Sequence, residues 1–394
     1  MKHISRTVWV LSLVSLFTDM ASEMLYPIIP IYLQSIGFTI FIIGVLEGVV
    51  EAIAGLGKSY FGKISDNSGK RVPFVQLGYS LSALSKPMMA FFIFPAWVFF
   101  VRSLDRMGKG IRTGARDALL SAEATPKTKA RVFGFHKSMD TLGAVIGPAI
   151  ALLFLYFFSN SYKTIFIIAF IPGVLAVIST LFLKEKPMAP PSVKKKVSLF
   201  SFVHYWKDSP AAYRKLVIGL LMFALINSSD IFLLLKAKES GISDTQVIGL
   251  YIFYNLIFAL AAYPIGIIAD KIGFKKMLLF GFSIFSVVYF LMATANSFTV
   301  LLIAFFLYGI FAAATDGVSK AWITNISDKK DAATAIGTYS GFQSLCSFVA
   351  STLAGYIWYK YGSVATFLFS GVGSTLVLIY FVFCKNSLIA KNRI

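Results

Sequence analysis

Charged residues are scarce in this chain, and acidic residues are the scarcest of them. Of its 394 residues, 14% are charged and only 18 are Asp or Glu, whereas an ordinary soluble domain is about 25% charged. Hydrophobic residues make up 57% of the chain, which leaves too little polar surface to coat a water-exposed protein of this length. The composition therefore excludes a soluble enzyme and predicts a chain embedded in lipid.

Cysteine is almost absent, and no nucleotide-binding loop is found. The two cysteines, Cys346 and Cys384, both fall in apolar segments, so neither a disulfide framework nor a Cys-based metal site is predicted. No G-x-x-x-x-G-K-[ST] run occurs, so the sequence does not indicate ATP binding. We expect no cofactor, no resident metal and no enzymatic activity.

The net charge of +19 is large enough to suggest a nucleic-acid partner. Such a partner requires Lys and Arg to gather on one soluble face. In this chain they are instead distributed between apolar runs. We therefore expect no nucleic-acid binding and take the bilayer as the main partner.

Twelve apolar stretches are long enough to cross a membrane, at about 20 residues per crossing. They lie near Thr7–Tyr32, Thr39–Gly62, Val72–Phe94, Ala96–Ser121, Val132–Phe158, Thr164–Leu183, Ala211–Lys236, Ser243–Ala269, Lys275–Ala295, Phe298–Ile326, Asp331–Tyr359 and Ser363–Phe383. The Pro- and Lys-rich stretch 184–210 divides them six and six, and its composition is typical of a solvated linker. We predict an all-α membrane protein with two six-helix domains, residues 1–183 and 211–394.

Positive charge is unevenly distributed between the two sides that these crossings define. If both termini and the linker are cytosolic, the opposite side holds only Lys163, Lys236, Lys238 and Lys360. Translocation is biased against Lys and Arg, so this asymmetry predicts cytosolic termini. We expect a multi-pass protein of the cytoplasmic (inner) membrane.

A short loop motif occurs once in each half. Gly62, Asp66, Gly69 and Lys70-Arg71 follow the second span, and Gly266, Asp270, Gly273 and Lys275-Lys276 follow the eighth, with Asp270 standing 204 positions after Asp66. The glycines permit a tight turn and close backbone approach. The charged residues can pair with charges at neighbouring helix ends.

This loop pair and the six-and-six arrangement resemble the major facilitator superfamily of secondary transporters, and the resemblance covers nearly the whole chain. Gly143, Gly147 and Pro148 are similar to a motif that the family's exporters and antiporters often carry. The resemblance implies alternating access to a small-molecule site near mid-membrane, and we expect a monomer.

The resemblance also implies a cytosolic gate built on the loop pair. The alternative is that its charges only enforce topology. The expected gate residues are Gly62, Asp66, Gly69, Lys70, Arg71, Arg112, Arg116, Asp117, Gly266, Asp270 and Gly273.

The fourth predicted span carries an unusual stripe of charge. Arg102, Arg106, Lys109 and Arg116 follow one another at separations of four, three and seven residues, so they share one helix face, flanked by Asp105 and Arg112. A charged side chain facing lipid near the bilayer centre costs about 2.5–3.5 kcal/mol on insertion scales. The stripe must therefore face protein or water.

Two interpretations of this stripe stay open: a closed salt-bridge network, or an anion site beside titratable carboxylates. Guanidinium groups suit carboxylate and phosphate recognition because they donate in a fork. The candidates for proton coupling are Asp19, Glu23, Glu51, Asp105 and Asp140. The candidates for solute binding are Tyr26, Arg102, Arg106, Lys109, His136, Asn227, Asp230, Asp316 and Lys320.

The leading hypothesis is proton-coupled transport of a small anionic organic solute, such as a carboxylate, a phosphate or a siderophore. At an offset of 204, Glu23 and Glu51 fall opposite Asn227 and Asn255, so proton coupling is expected in the first half. A drug:proton antiporter is one alternative, a divalent-metal or iron exporter a second, and a non-transporting receptor or scaffold a third.

Overall fold

A computed structural model describes residues 4–26, 29, 32–33, 36–37, 40–158, 161–185 and 201–383. Most of the predicted linker, residues 186–200, lies outside this range. The described part of the chain is helical and contains no strand. Its α-helices are α1 Arg6–Leu25, α2 Ile40–Ser68, α3 Val72–Met88, α4 Pro95–Ala122, α5 Lys129–Phe157, α6 Tyr162–Ile168, α7 Phe170–Thr180, α8 Ser201–Asp208, α9 Ala211–Ala224, α10 Ile231–Glu239, α11 Asp244–Ile272, α12 Phe274–Ala293, α13 Phe298–Ile326 and α14 Ala332–Phe383.

Seven of the described helical stretches are long and apolar enough to cross a membrane. One of them, Lys329–Phe383, is 55 residues long and contains the last two predicted spans. Gly362 interrupts it with a φ of 83° and a ψ of 173°, a backbone conformation that glycine adopts readily. The structure is consistent with the predicted twelve crossings, although that count stays a prediction.

The predicted span at 211–236 is two helices rather than one. Helix α9 ends at Ala224 and α10 begins at Ile231, and the connection contains Asn227-Ser228-Ser229-Asp230. Asn, Ser and Asp side chains compete with the helix by bonding nearby backbone groups. Ser229 does so here, since its hydroxyl accepts a hydrogen bond from the Ile231 N–H at 3.4 Å.

Two compact units make up the fold. The first comprises Met1–Glu123, Met139–Asp208 and Asp328–Gly341, and the second comprises Ala124–Ser138, Ser209–Ser327 and Phe342–Ile394. Each unit thus includes a short segment from the opposite half of the sequence. The two domains predicted from the sequence, residues 1–183 and 211–394, stay a prediction.

Glycines bring the helices of the first unit into close contact around α4. A Cβ at Gly108 would lie 2.6 Å from the Gly78 carbonyl oxygen of α3, and one at Gly110 would lie 3.0 Å from the Gly57 Cα of α2. Larger side chains at these positions would push the helices apart. Helix α4 is therefore packed between α2 and α3, which fixes where its charged side chains point.

The core of the second unit is aromatic. The Phe223 ring stacks on Phe282 with centroids 4.3 Å apart, and Phe285 stacks on Tyr289 at 4.0 Å. Phe282, Phe285 and Tyr289 are almost fully buried. Aromatic pairs at these distances add about 0.5–1.5 kcal/mol each beyond the burial of their area, so this core holds α9, α12 and α13 together.

Candidate functional site

Helix α4 places cations around one carboxylate of α2. This cation cluster contains Lys58, Arg102, Arg106 and Lys109, whose charges all act on Glu51. Asp19 of α1 acts in turn on Lys109. The charges of Arg102 and Arg106 also act on Asp105, which pairs with Lys86. Among the described residues that these interactions join, cations outnumber carboxylates, and such an arrangement can attract an anion.

The cation cluster is only partly enclosed by the protein. Arg102 is 7% exposed, whereas Arg106, Lys109 and Glu51 are partly exposed. The side chains of Arg106 and Lys109 thus keep some exposed surface, while the Nε atoms of Arg102 and Arg106 are buried. A cluster of positive charge with exposed surface of this kind can contact a negatively charged solute.

Two other charges of α4 turn toward α3 instead. Asp105 forms a salt bridge with Lys86 at 3.0 Å, with both side chains mostly buried. Arg112 lies over the Tyr79 ring at 4.5 Å and donates to the Ser82 hydroxyl at 2.5 Å. The stripe predicted from the sequence thus divides into a helix-packing part and the cation cluster.

Asp140 joins three helices of the first unit. Its carboxylate accepts a hydrogen bond from the Ser15 hydroxyl of α1, and its charge acts on Arg116 of α4. Arg116 also bonds Asp117 at 2.8 Å. Asp140 is buried, so this junction is part of the packed interior.

The glycines of the antiporter-like motif pack α5 against α1. A Cβ at Gly147 would lie 2.5 Å from the Met20 carbonyl oxygen, and one at Gly143 would clash with the Leu16 carbonyl oxygen. Pro148 follows inside the same helix. The motif therefore permits a close backbone contact directly beside Asp140.

Asp316 lies between two lysines in a small group of charged residues in the second unit. Its carboxylate lies 3.4 Å from Lys137 of α5 and 3.9 Å from Lys320, one turn further along α13. All three side chains are partly exposed, and the Asp316 side chain is 37% exposed. His136 is buried next to Lys137 in the α5 segment of this unit.

In the first unit, the end of α2 holds the start of α14, because Asp66 lies in the last turn of α2 rather than in the loop that follows. Asp66 accepts hydrogen bonds from the backbone N–H and the hydroxyl of Thr334 at 2.8 and 2.7 Å. Arg71 lies 3.4 Å from Asp66 and donates to the Lys329 carbonyl at 3.1 Å. A Cβ at Gly62 would lie 2.7 Å from the Ala333 carbonyl oxygen, so only glycine allows this approach.

The repeated loop makes the equivalent contact in the second unit. Asp270 accepts hydrogen bonds from the backbone N–H groups of Ala130 and Arg131, both at 2.9 Å. These residues open α5, so the carboxylate sits at the positive end of a helix dipole. Gly273 turns the chain with a φ of 95°, as Gly69 does in the first loop with a φ of 66°.

The remaining predicted residues have less specific surroundings. Asp19 and Glu23 are partly buried on α1. Tyr26 ends that helix with 52% of its surface exposed. Lys70 is exposed, with its backbone N–H bonded to the Ser68 hydroxyl.

Sequence reasoning missed the partners of Asp230. The hydroxyl of Tyr254 on α11 donates to one carboxylate oxygen at 2.9 Å, and that of Tyr308 on α13 donates to the other at 2.6 Å. Both tyrosines lie in apolar helices, where the sequence suggests only packing. The polar run 227–230 inside a predicted span was the available signal.

In the part of the chain that the structure describes, no group of three or more His, Cys, Asp or Glu side chains could hold a metal ion.

Similarity to known proteins covers nearly the whole chain. Residues 11–243 and 231–392 match the Major Facilitator Superfamily. An uncharacterized MFS-type transporter of Methanocaldococcus jannaschii is 36% identical over 386 residues, or 96% of this chain and 94% of the relative. A multi-drug resistance efflux pump PmrA homolog of Lactococcus lactis is 22% identical, over 90% of this chain and 89% of the pump.

Two solved structures share the fold. The human organic anion transporter MFSD10 superposes with a TM-score of 0.78 at 16% identity, covering 95% of this chain and 99% of that one. The Escherichia coli fucose:proton symporter FucP gives a TM-score of 0.76 at 13% identity, covering 97% of this chain and 99% of that one.

Proposed function

The chain belongs to the major facilitator superfamily, and we propose that it moves a small anionic organic solute across the cytoplasmic membrane with protons as the coupling ion. Members of this family are multi-pass membrane transporters. The resemblance recognised in the loop pair is thus confirmed at the level of family and fold. The solute, the coupling ion and the orientation are our proposal.

The cation cluster is the observation that carries the proposal. Arg102, Arg106 and Lys109 lie on one helix with Glu51 as their shared counter-ion, and the side chains of Arg106 and Lys109 are partly exposed. Intramembrane charges are costly and are by default functional. A carboxylate or phosphate would supply the missing negative charge and accept the forked guanidinium donors.

Glu51 and Asp19 are the proposed proton carriers. Both act on members of the cation cluster, so an arriving anion would compete with them for the same cations. Such competition couples solute binding to the protonation of the acid. Glu23, Asp105 and Asp140 stay candidates, although Asp105 and Asp140 already have packing partners on other helices.

Similar proteins support the two parts of this proposal separately. One structural neighbour is an organic anion transporter and the other a proton symporter. We further propose that both termini face the cytosol, because of the Lys and Arg asymmetry, that the protein works as a monomer, and that the loop pair acts as the cytosolic gate.

The test is solute flux in proteoliposomes with an imposed pH gradient. Dicarboxylates, citrate and sugar phosphates serve as the radiolabelled panel. We expect at least one of them to be transported, and Arg106→Gln to raise its half-saturation concentration about tenfold or more, as for the loss of one charge-assisted contact. Lys127→Gln, which changes an exposed lysine between α4 and α5, is the matched control and should leave transport unchanged.

Two results would contradict the proposal. Flux that does not change with the imposed pH gradient would show that transport is not coupled to protons. An equal effect of Arg106→Gln and Lys127→Gln on the half-saturation concentration would show that the cation cluster does not recognise the solute.

A drug:proton antiporter is the second candidate. The efflux pump relative and the packed Gly143 and Gly147 favour it, whereas the excess positive charge around Arg106 opposes binding of lipophilic cations. Export of a cationic dye by cells that express the protein, with no flux of any anion, would promote this alternative.

A further inference from the structure

Asp230 lies at the break between α9 and α10. Among the described residues, no Lys, Arg or His side chain forms a salt bridge with it. Its two oxygens instead accept from Tyr254 and Tyr308. An uncompensated carboxylate within a membrane span is expensive, and such residues mark ligand or ion sites.

The two tyrosines that bond this carboxylate belong to a row of neighbouring aromatic rings. The rings of Tyr254 and Tyr308 lie 5.4 Å apart, and Tyr251 and Phe311 follow on either side at 5.7 and 5.3 Å. Ring faces attract organic cations. The surroundings of Asp230 therefore combine a negative charge with the surface that an alkylammonium group prefers.

A buried amide oxygen near Asp230 is a second indication of a ligand. The neighbouring hydroxyls of Ser228 and Tyr289 interact with each other, and the charge of Asp230 acts on Tyr289. Within residues 201–383, the amide oxygen of Asn227 has no hydrogen-bond partner. A buried polar atom of this kind calls for a partner, since leaving it unsatisfied costs about 1–3 kcal/mol.

We propose that Asp230, Tyr254 and Tyr308 form a binding site for an organic ammonium group in the second unit. The carboxylate supplies the counter-charge, the tyrosine hydroxyls hold it in place, and the rings contact the carbon atoms next to the nitrogen. Asn227 and Ser228 supply acceptors for the remaining N–H groups. This site goes beyond the proposed function, because an acidic group repels the anionic solute assigned to the cation cluster.

An ammonium group fits these atoms better than a metal ion does. Metal ions such as Na⁺ or Mg²⁺ require several oxygen ligands, whereas the contacts described here bring one carboxylate, that of Asp230, to these tyrosines. The hydroxyls of Tyr254 and Tyr308 are already donating to it. Ring faces add nothing to metal coordination but stabilise an alkylammonium ion.

The experiment compares two ligands of equal shape and different charge. Binding of 2-phenylethylammonium and of neutral 2-phenylethanol to the purified full-length protein is measured by isothermal titration calorimetry and thermal stabilisation. We expect the amine to bind and the alcohol to bind at least about tenfold more weakly, because it lacks the charge-assisted contact.

Substitutions assign the binding to this site. Asp230→Asn should weaken amine binding about tenfold or more. Glu239→Gln, which changes a largely exposed acid on the same helix α10, is the matched control and should leave binding within about twofold. Tyr308→Phe keeps the ring and should weaken binding only several-fold. That variant keeps the test valid if Asp230→Asn fails to fold.

Three outcomes would overturn the proposal. Equal binding of amine and alcohol would show a merely apolar surface, and unchanged binding in both Asp230→Asn and Tyr308→Phe would place the amine elsewhere. Loss of pH-driven flux in Asp230→Asn, with no amine binding to the wild-type protein, would make Asp230 a proton carrier instead. Anion flux is measured in the same preparations without amine. This measurement tests the proposed function independently of amine binding.

Discussion

Thr334 donates two hydrogen bonds to one carboxylate oxygen of Asp66, a residue 268 positions earlier in the chain. Asp270 accepts the equivalent bond from the Ala130 N–H at 2.9 Å. The two contacts are related by the internal repeat, because 66 + 204 is 270 and 130 + 204 is 334. Each loop carboxylate therefore holds the helix start that corresponds to the one held by its counterpart.

Removing the hydrogen-bond acceptor of Asp66 should destabilise the protein. Asp66→Ala removes a buried carboxylate that receives two short hydrogen bonds and leaves the Thr334 donors unpaired, so we expect the free energy of unfolding to fall by about 1.5–3 kcal/mol. Asp328→Ala, at an exposed acid close to the same helix start, should change it by less than about 0.5 kcal/mol. Thermal denaturation of the purified protein measures both, and equal midpoints for the two variants would refute the prediction.

The two loop contacts should contribute independently. Asp66 and Asp270 share no hydrogen-bond partner, and they lie in different compact units. We expect the stability losses of Asp66→Ala and Asp270→Ala to add within about 0.5 kcal/mol in the double variant. A double variant no less stable than either single one would show that both contacts open in a single step.

Alanine at two helix glycines should have opposite effects. At Gly147, a Cβ would lie 2.5 Å from the Met20 carbonyl oxygen, so Gly147→Ala should cost about 1–3 kcal/mol of stability. At Gly249, in α11, a Cβ would meet no atom within 4 Å. Gly249→Ala should therefore stabilise the protein by up to about 1 kcal/mol. Denaturation midpoints that move in the same direction would disprove the packing role of Gly147.

The Lys86–Asp105 pair should be replaceable as a unit. Lys86→Met leaves the Asp105 charge buried without its partner at 3.0 Å, at an expected cost of about 3–5 kcal/mol. Adding Asp105→Leu should recover most of that loss, because buried ion pairs are often no better than apolar residues of similar volume. Stability and pH-driven flux are measured on the single and double variants.

The same pair of variants decides the role of Asp105. If Asp105 serves helix packing, the double variant keeps its pH-driven flux once stability has recovered. Loss of flux in a stable double variant would instead restore Asp105 as a proton carrier, as the sequence suggested.

Hydropathy predicted the helical membrane fold because apolar runs of the required length are visible in the sequence itself. The loop pair around Asp66 and Asp270 predicted the family because its spacing occurs twice. The break at 225–230 was not predicted, since the run Asn227–Asp230 is short and its flanks are as apolar as any other span. Breaks of this kind depend on local competition for backbone hydrogen bonds.

Side-chain partners were harder to predict than helices. Periodicity placed Arg102, Arg106 and Lys109 on one face of a helix, but it could not separate them from Arg112, which turns to the Tyr79 ring. That choice depends on the close approach of Gly78 and Gly108, a contact between two helices. Asp230 was named a candidate without Tyr254 and Tyr308, because they come from distant helices.

The segment Asp328–Gly341 belongs to the first unit, and this has a consequence for biosynthesis. Ribosomes deliver the chain from its N-terminus, so the partner of Asp66 emerges only after more than three quarters of the polypeptide has been made. Until then, Asp66 can pair with Arg71 but lacks the two hydrogen bonds from Thr334. The first unit therefore cannot complete its packing until most of the second half of the chain has been synthesised.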